Sequence, residues 1–376
     1  MKFDRRRPSH WLRAGWITVV LGVSSLVAWL LPRNEDSAVV LSGHALNGNL
    51  ASLYAARSFA DPGLTWHYAA MSITTAPTDS DIVILLLWRF RDALRVARAR
   101  AVVTDHGPGV LSVLQRLRPQ IVFIDVWHGV GFKALGSEYG RKMKRYRGMV
   151  AASQWDADNQ VLSTGIQRSQ VAPLGYALMD TIVAARARPV ELGGSRRRRL
   201  LVAPTWSHGR SDDFESLTSS NVTLALAGWA SDRGWEFVVR AHLNTAGASE
   251  PTGTVRYMGM ASFPDTVALM VDTDILITDW SSIATDFHGL GRPVVFWDRP
   301  CPFSEVRMSM DDRVGPLVAS VGELTEKLDL IVADDSWFER LYGRRQRALV
   351  ERVHGAGLDG RAGSRVAEFL SSVIVT

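Results

Sequence analysis

The chain has 376 residues, 47% of them apolar and 22% charged, with 43 Lys and Arg against 38 Asp and Glu for a formal charge of +5. That balance excludes a disordered, collagen-like or polytopic membrane protein, and so mild an excess of base is no argument for nucleic acid as a partner. A single cysteine, Cys301, excludes an internal disulfide framework, and no CxxC, HExxH or Cys/His cluster has structural-zinc spacing.

Residues 1–36 form a first region. Lys2, Arg5, Arg6, Arg7 and Arg13 precede an uncharged stretch of 18 residues, Ala14 to Leu31. As a helix it would be about 27 Å long at about 1.5 Å per residue, just enough to cross a bilayer. A cleaved signal peptide fits poorly, because Pro32-Arg33-Asn34-Glu35-Asp36 reads as a linker rather than a small-x-small cleavage site. A spanning helix, a helix lying in the membrane interface and a helix packed on the core remain open.

From Ser37 onward short apolar runs alternate with helix-like stretches. The runs are Ala38 to Leu41, Ile82 to Leu87, Ala101 to Thr104, Ile121 to Asp125, Leu200 to Ala203, Phe237 to Arg240, Ile275 to Thr278 and Val294 to Trp297. Continuous hydrophobic strands separated by helices predict an α/β protein with parallel sheets covered on both faces. The alternation pauses between Tyr176 and Arg199, where Ala, Arg, Pro and Gly precede the run Arg196 to Arg199. This places a boundary near residue 190 and predicts two Rossmann-like lobes, 37–190 and 191–376, facing a cleft. A second basic run, Arg141, Lys142, Lys144, Arg145 and Arg147, offers a surface for anionic lipid or a polyanion, or an ordinary solvated face.

GxGxxG, GxxxxGK[ST] and GxSxG are all absent, which sets back dehydrogenase, P-loop and hydrolase readings. Instead, polar groups stand at strand ends, where open α/β sheets bind ligands. His128, in Trp127-His128-Gly129-Val130-Gly131, follows the strand ending at Asp125 and suits general-base work. Asp279-Trp280-Ser281-Ser282 follows Ile275 to Thr278 and opens a helix, an arrangement that suits a phosphate or pyrophosphate. Arg240 and His242 end a third strand and offer a cation and an imidazole to developing charge on phosphate. Asp272-Thr273-Asp274 matches a metal-holding DxD of GT-A glycosyltransferases, yet it precedes a strand rather than following one.

These blocks, together with Lys133, Leu135-Gly136, Ala203-Pro204-Thr205-Trp206, Asp286-Phe287, Arg292-Pro293-Val294-Val295-Phe296 and Gly315-Pro316, resemble the CDP-glycerol glycerophosphotransferase family of teichoic acid primases and polymerases. The likeness covers residues 100 to 325. It implies a GT-B-like fold and transfer of glycerol phosphate from CDP-glycerol to a hydroxyl of a lipid-linked or polymeric acceptor, releasing CMP. His128 would then be the base, while His242, Ser281, Ser282 and Arg240 would hold the donor phosphates and Asp279 would orient their loop. The block Leu41 to Asn49 resembles the family's first loop, which puts His44, Asn47 and Asn49 on the acceptor side with Lys133. No cofactor is demanded, and Mg2+ is allowed. Two departures stand out: Trp280 replaces a usual Tyr, and Leu243 a common Pro. The family's polymerases tend to carry further amino-terminal domains, so priming and polymerisation are both open here.

A GT-B sugar transferase using a nucleoside diphosphate sugar, or a non-catalytic membrane-tethered binder of anionic polymer, are the competing readings. The amino-terminal cations would hold that end in the cytoplasm, so a spanning helix would export the lobes away from a nucleotide donor. Attachment in the interface, on the cytoplasmic face of an anionic membrane, avoids that conflict.

Overall fold

A computed structural model describes residues 8–31, 37–71, 81–187, 197–205, 217–240, 255–259 and 263–375. Two compact units account for the chain. The first contains residues 1–128, 135–180 and 356–376, and the second 129–134 and 181–355.

The first unit holds a parallel sheet of seven strands: β1 (Ala38–Ser42), β2 (Thr65–Ala70), β3 (Val83–Leu86), β4 (Ala101–Thr104), β5 (Val122–Asp125), β6 (Gly148–Ala151) and β7 (Val171–Pro173). Their order is β3-β2-β1-β4-β5-β6-β7, the doubly wound arrangement. Val39, Val40, Leu41, Val102 and Val103 are fully buried, which is why these strands read as unbroken apolar runs. The second unit repeats the plan with β8 (Arg199–Val202), β9 (Glu236–Val239), β10 (Val255–Tyr257), β11 (Ile275–Thr278), β12 (Val294–Trp297) and β13 (Leu317–Val318), all parallel, in the order β10-β9-β8-β11-β12-β13. The strands read from the sequence are present. Thr65–Ala70, Gly148–Ala151, Val171–Pro173, Val255–Tyr257 and Leu317–Val318 add to them.

In each sheet the strand order reverses once, between β1 and β4 in the first and between β8 and β11 in the second. Loops leaving adjacent strands in opposite directions open a crevice at such a point, where ligands bind.

The amino-terminal helix, α1 (Pro8–Trp29), belongs to the first unit. Ile17, Val20, Leu21, Ser24, Ser25 and Ala28 recur at helical spacing and are buried. The apolar members of that face join the first core cluster, with Ala93, Val96, Leu111 and Leu114. Trp11, Leu12, Trp16, Val19, Val23, Leu26 and Leu30 are exposed.

The last helix, Ala362–Val375, also packs in the first unit. The Asp180 carboxylate accepts from the N–H groups of Ala362 and Gly363, and the Arg100 guanidinium donates to the Ile374 carbonyl. The sequence places residues 191–376 together in one lobe, whereas these long-range contacts join 356–376 to the first unit and set the changeover at Asp180–Thr181.

Candidate active site

The first unit assembles three imidazoles at its switch point. His44 follows β1, His106 follows β4 and His128 follows β5, so neighbouring strands deliver them to one end of the sheet. The rings of His106 and His128 are stacked, with centroids 3.9 Å apart and planes 2° apart, and His44 lies 4.5 Å from His106.

Asp105 organises this cluster. Its carbonyl oxygen lies 2.8 Å from Nδ1 of His128. A carbonyl can only accept, so Nδ1 carries the proton and Nε2 is the basic nitrogen of His128. The Asp105 carboxylate accepts from Nδ1 of His106 at 2.7 Å. Burial pushes that carboxyl up to about 6, against the opposing pull of His128 and His44. A Cβ on Gly43 would come within 2.7 Å of the same carboxylate, so glycine is needed there for close approach.

The backbone behind His128 is held just as firmly. Trp127 has φ 51, the left-handed region, and is the one non-glycine residue with positive φ among the described residues. Buried Asp125 accepts from the Trp127 N–H (2.8 Å), the Gly107 N–H (2.9 Å) and the Thr104 hydroxyl (2.6 Å). Burial raises its carboxyl to about 7. Asn49 donates to the carbonyls of Trp127 (2.9 Å) and Val126 (3.2 Å), and its Oδ1 accepts from the Leu178 N–H (3.0 Å). Placed on the acceptor side by the sequence, Asn49 is instead buried beneath the loop and fixes the turn that presents His128. Asn47 occupies the N-cap position of α2 (Gly48–Ala55) without a side-chain capping bond and is half-buried, as is His44.

The chain passes to the second unit at the His128–Gly129 bond, and residues 129–134 are built into that unit. The Thr285 hydroxyl donates to the Val130 carbonyl, Arg307 Nε to the Gly131 carbonyl (2.9 Å), and Phe132 packs edge-on to Trp280. Lys133 pairs with Val306 as an isolated bridge, so it sits with this segment in the second unit. A Cβ on Gly131 would meet the Ser282 Cβ at 3.0 Å, which explains the glycine.

At the switch point of the second sheet, Asp279 is buried at the end of β11. Its Oδ1 accepts from the N–H groups of Thr205 (2.7 Å) and Trp280 (2.6 Å), and Arg299 lies 2.9 Å from Oδ2. Asp279 therefore ties the loop after β8 to the Asp279–Ser282 turn, and reaches a phosphate only through that turn. Ser281 and Ser282 are partly exposed before the short helix Ile283–His288. Trp280 keeps a polar contact in the Tyr position, its Nε1 donating to the Arg299 carbonyl at 2.9 Å, with Arg313 over its ring.

Arg240, expected at the donor phosphates, is buried with its guanidinium turned to the carbonyls of Phe263 (2.5 Å) and Met258 (3.5 Å) and the Thr266 hydroxyl (2.6 Å). Burial lowers it to about 10. His242, Leu243 and Trp206 lie outside the described residues. Asp272 and Asp274 are taken up by Arg199 at the amino-terminal ends of the strands, away from the edge where ligands bind, which removes the DxD reading. Arg198 and Arg199 likewise pair with Asp335, Glu236 and Asp272 as structural ion pairs.

Sequence reasoning missed Asp105, His106 and Asp125. The signal was present, because Asp105-His106-Gly107 follows the strand Ala101–Thr104 just as His128 follows its own.

Two doubly wound parallel sheets, each with polar side chains at its switch point, define a GT-B-like transferase scaffold. A family model described as CDP-glycerol:poly(glycerophosphate) glycerophosphotransferase matches residues 24–372, and the chain belongs to that family. It is 24% identical to a teichoic acid ribitol-phosphate primase of Bacillus spizizenii over 93% of this chain and 95% of that protein. It is also 24% identical to a teichoic acid glycerol-phosphate primase of Bacillus subtilis, over 53% of this chain and 55% of the relative. Among solved structures, the wall teichoic acid polymerase TagF superposes with a TM-score of 0.78 at 16% identity, covering 96% of this chain and 94% of that one.

Proposed function

We propose that this chain transfers glycerol phosphate from CDP-glycerol to a hydroxyl of a membrane-linked acceptor, releasing CMP, in the synthesis of a teichoic-acid-like cell-wall polymer. The observation that carries the reading is the tautomer of His128, whose Nδ1 is committed to the Asp105 carbonyl and whose Nε2 is thereby the base. The acceptor O–H gives its proton to Nε2 while its oxygen attacks the glycerol-bearing phosphorus. The bond from that phosphorus to the bridging oxygen breaks, and CMP departs with the electron pair. A diphosphate contains its own leaving group, so one in-line displacement suffices and phosphorus is inverted.

Ser281 and Ser282 supply hydroxyl donors to the diphosphate, with His242 as the second catalytic histidine and Asp279 holding their turn. Arg240 shapes that side by holding the chain after β10, at Met258, Phe263 and Thr266, rather than by touching phosphate. His44 and Asn47 are assigned to the acceptor side, Lys133 goes with the second unit, and Asn49 acts through the His128 loop. A divalent ion such as Mg2+ is compatible with the scheme, and no step is assigned to it.

The membrane attachment is monotopic on this reading. One face of α1 is committed to the core, so the helix offers the bilayer the opposite face, with Trp11, Leu12, Trp16, Val19, Val23, Leu26 and Trp29. Exposed cations stand on or against the two helices packed beside α1. Arg89 and Arg91 stand at the start of α3 (Phe90–Ala97), and Arg145, from the basic run, donates to the Gln115 carbonyl of α4 (Ser112–Leu117). An apolar strip on α1 together with exposed base on the neighbouring elements fits an anionic leaflet, on the cytoplasmic side where a nucleotide donor is found.

Ribitol phosphate is the second reading, favoured by the ribitol-phosphate primase among the relatives. Purified protein given radiolabelled CDP-glycerol or CDP-ribitol with a membrane extract decides between them. Release of UDP or GDP from a sugar nucleotide, in place of CMP, would overturn both. Polymer binding that is unchanged in His128→Ala, with no turnover in either protein, would reduce the chain to a binder.

A further inference from the structure

A cavity of about 370 Å3 lies under α1 in the first unit, and of its lining the reaction just described uses only His44. Ala14 and Ile17 of α1, Met71 beyond β2 and Val110 beyond β4 give it apolar walls, while Arg13 and His44 bring a cation and an imidazole. The volume falls within the range of about 300–1,000 Å3 that small-molecule sites occupy. His44 is also one ring removed from His106, which is stacked on His128.

We propose that this cavity binds a lipid phosphate, a hydrocarbon chain lying along Ala14, Ile17, Met71 and Val110 with its phosphate or diphosphate facing Arg13 and His44. The inference rests on the reading of a membrane-linked acceptor and names the part of that acceptor which the protein grips. Three observations converge on such an occupant. The walls are those that dehydrate a hydrocarbon chain favourably. The cation is on the same helix, one turn from the apolar wall, so an anionic head and an apolar tail are matched in a single site. Finally, α1 lines the cavity with one side and exposes Leu12, Trp16 and Val19 on the opposite side, so on the membrane-attached reading the cavity lies in the part of the protein that meets the bilayer.

Such a site would hold a lipid-linked acceptor by its anchor beside the histidine cluster, leaving its distal hydroxyl to be carried to His128. It also explains why a helix of membrane-spanning length is folded back onto the protein: its packed side forms a wall of the site.

The test is equilibrium binding of geranylgeranyl diphosphate to the full-length protein in detergent micelles, with geranylgeraniol and inorganic diphosphate as competitors. Wild type should bind, and Val110→Trp, which fills the cavity, should weaken binding about tenfold or more. Arg13→Gln should weaken the diphosphate about tenfold while leaving geranylgeraniol nearly unchanged. Equal binding to wild type and Val110→Trp would overturn the proposal, as would competition by inorganic diphosphate as strong as that by the lipid. If Val110→Trp fails to fold, Ala14→Leu narrows the same cavity and carries the same expectation. Absence of CMP release with every acceptor would sink the transferase reading and leave this binding result standing.

Discussion

The imidazoles of His106 and His128 lie face to face, 3.9 Å between centroids and 2° between planes, and both are anchored on Asp105, one by its carboxylate and the other by its carbonyl. His106 thus sets the plane of the ring assigned as base. His106→Ala should lower kcat by about tenfold with little change in the KM for CDP-glycerol, because misplacement of a reacting group by a fraction of an ångström is costly. His106→Phe keeps an aromatic face against His128 and should recover most of the loss. Equal damage from both substitutions would show that the polar edge of His106, rather than its stacking, is what matters.

His128→Gln removes the base and keeps a side chain of similar reach. Turnover should fall by about a thousandfold, within the range for loss of a general base, while CDP-glycerol still binds. Single-turnover chemistry measured beside equilibrium donor binding separates the two effects, and weaker donor binding with an unchanged single-turnover rate at saturating donor would reverse the assignment.

Asn49 satisfies two carbonyls and one N–H inside the first unit. Asn49→Leu leaves them buried and unpaired, at about 1–3 kcal/mol for each group that finds no new partner. The thermal midpoint should drop by several degrees, and kcat should fall because the Trp127 turn relaxes. A variant as stable and as active as wild type would show that this turn holds itself.

Gly131→Ala places a methyl 3.0 Å from Ser282 Cβ, so the turn carrying the serines must give by a few tenths of an ångström. The expected result is a raised KM for CDP-glycerol with the fold intact. Gly140→Ala is a contrasting case: its Cβ would lie 2.0 Å from the Thr164 carbonyl oxygen, and the protein should fail to accumulate. Donor KM unchanged in the first variant would detach Ser282 from donor binding.

Burial raises Asp125 to about 7 and Asp286 to about 8, from 3.8. The folded chain then holds protons more tightly than the unfolded one, a contribution complete below the ordinary carboxyl range and lost as pH rises through about 7 to 8. His288 acts in the opposite sense, because burial lowers it from 6.5 to about 3 and its contribution is lost as pH falls below 6.5. Between pH about 6.5 and about 8 the carboxyls dominate, so the thermal midpoint should rise on acidification across that window. Asp286→Asn should flatten the slope in scanning fluorimetry, and a midpoint that falls on acidification would refute the assignment.

Much of this architecture was written locally. Fully buried parallel strands must be apolar on both faces, so β1, β4, β5, β8, β9, β11 and β12 were legible as short unbroken runs. The edge strand Leu317–Val318 is two residues long, and Thr65–Ala70 opens with Thr-Trp-His, so neither declared itself by pattern. The positions of His128 and the Asp279–Ser282 turn, after β5 and β11, were legible because they follow from strand order and direction alone. Arg240 was misread for the same reason: its position at a strand end said nothing about which carbonyls its guanidinium would meet.

Sequence by itself determined the parallel α/β class, the serine turn, the histidine after β5 and the apolar amino-terminal helix, since each follows from residue type and order along a short stretch. Tertiary structure alone decided that Asp105 and His106 stand with His128, that Asn49 works from beneath, that α1 commits one face to the core, and that the last helix returns to the first unit. Those facts depend on which distant segments are packed together, and packing is settled by the burial of whole surfaces at once rather than by any local signal.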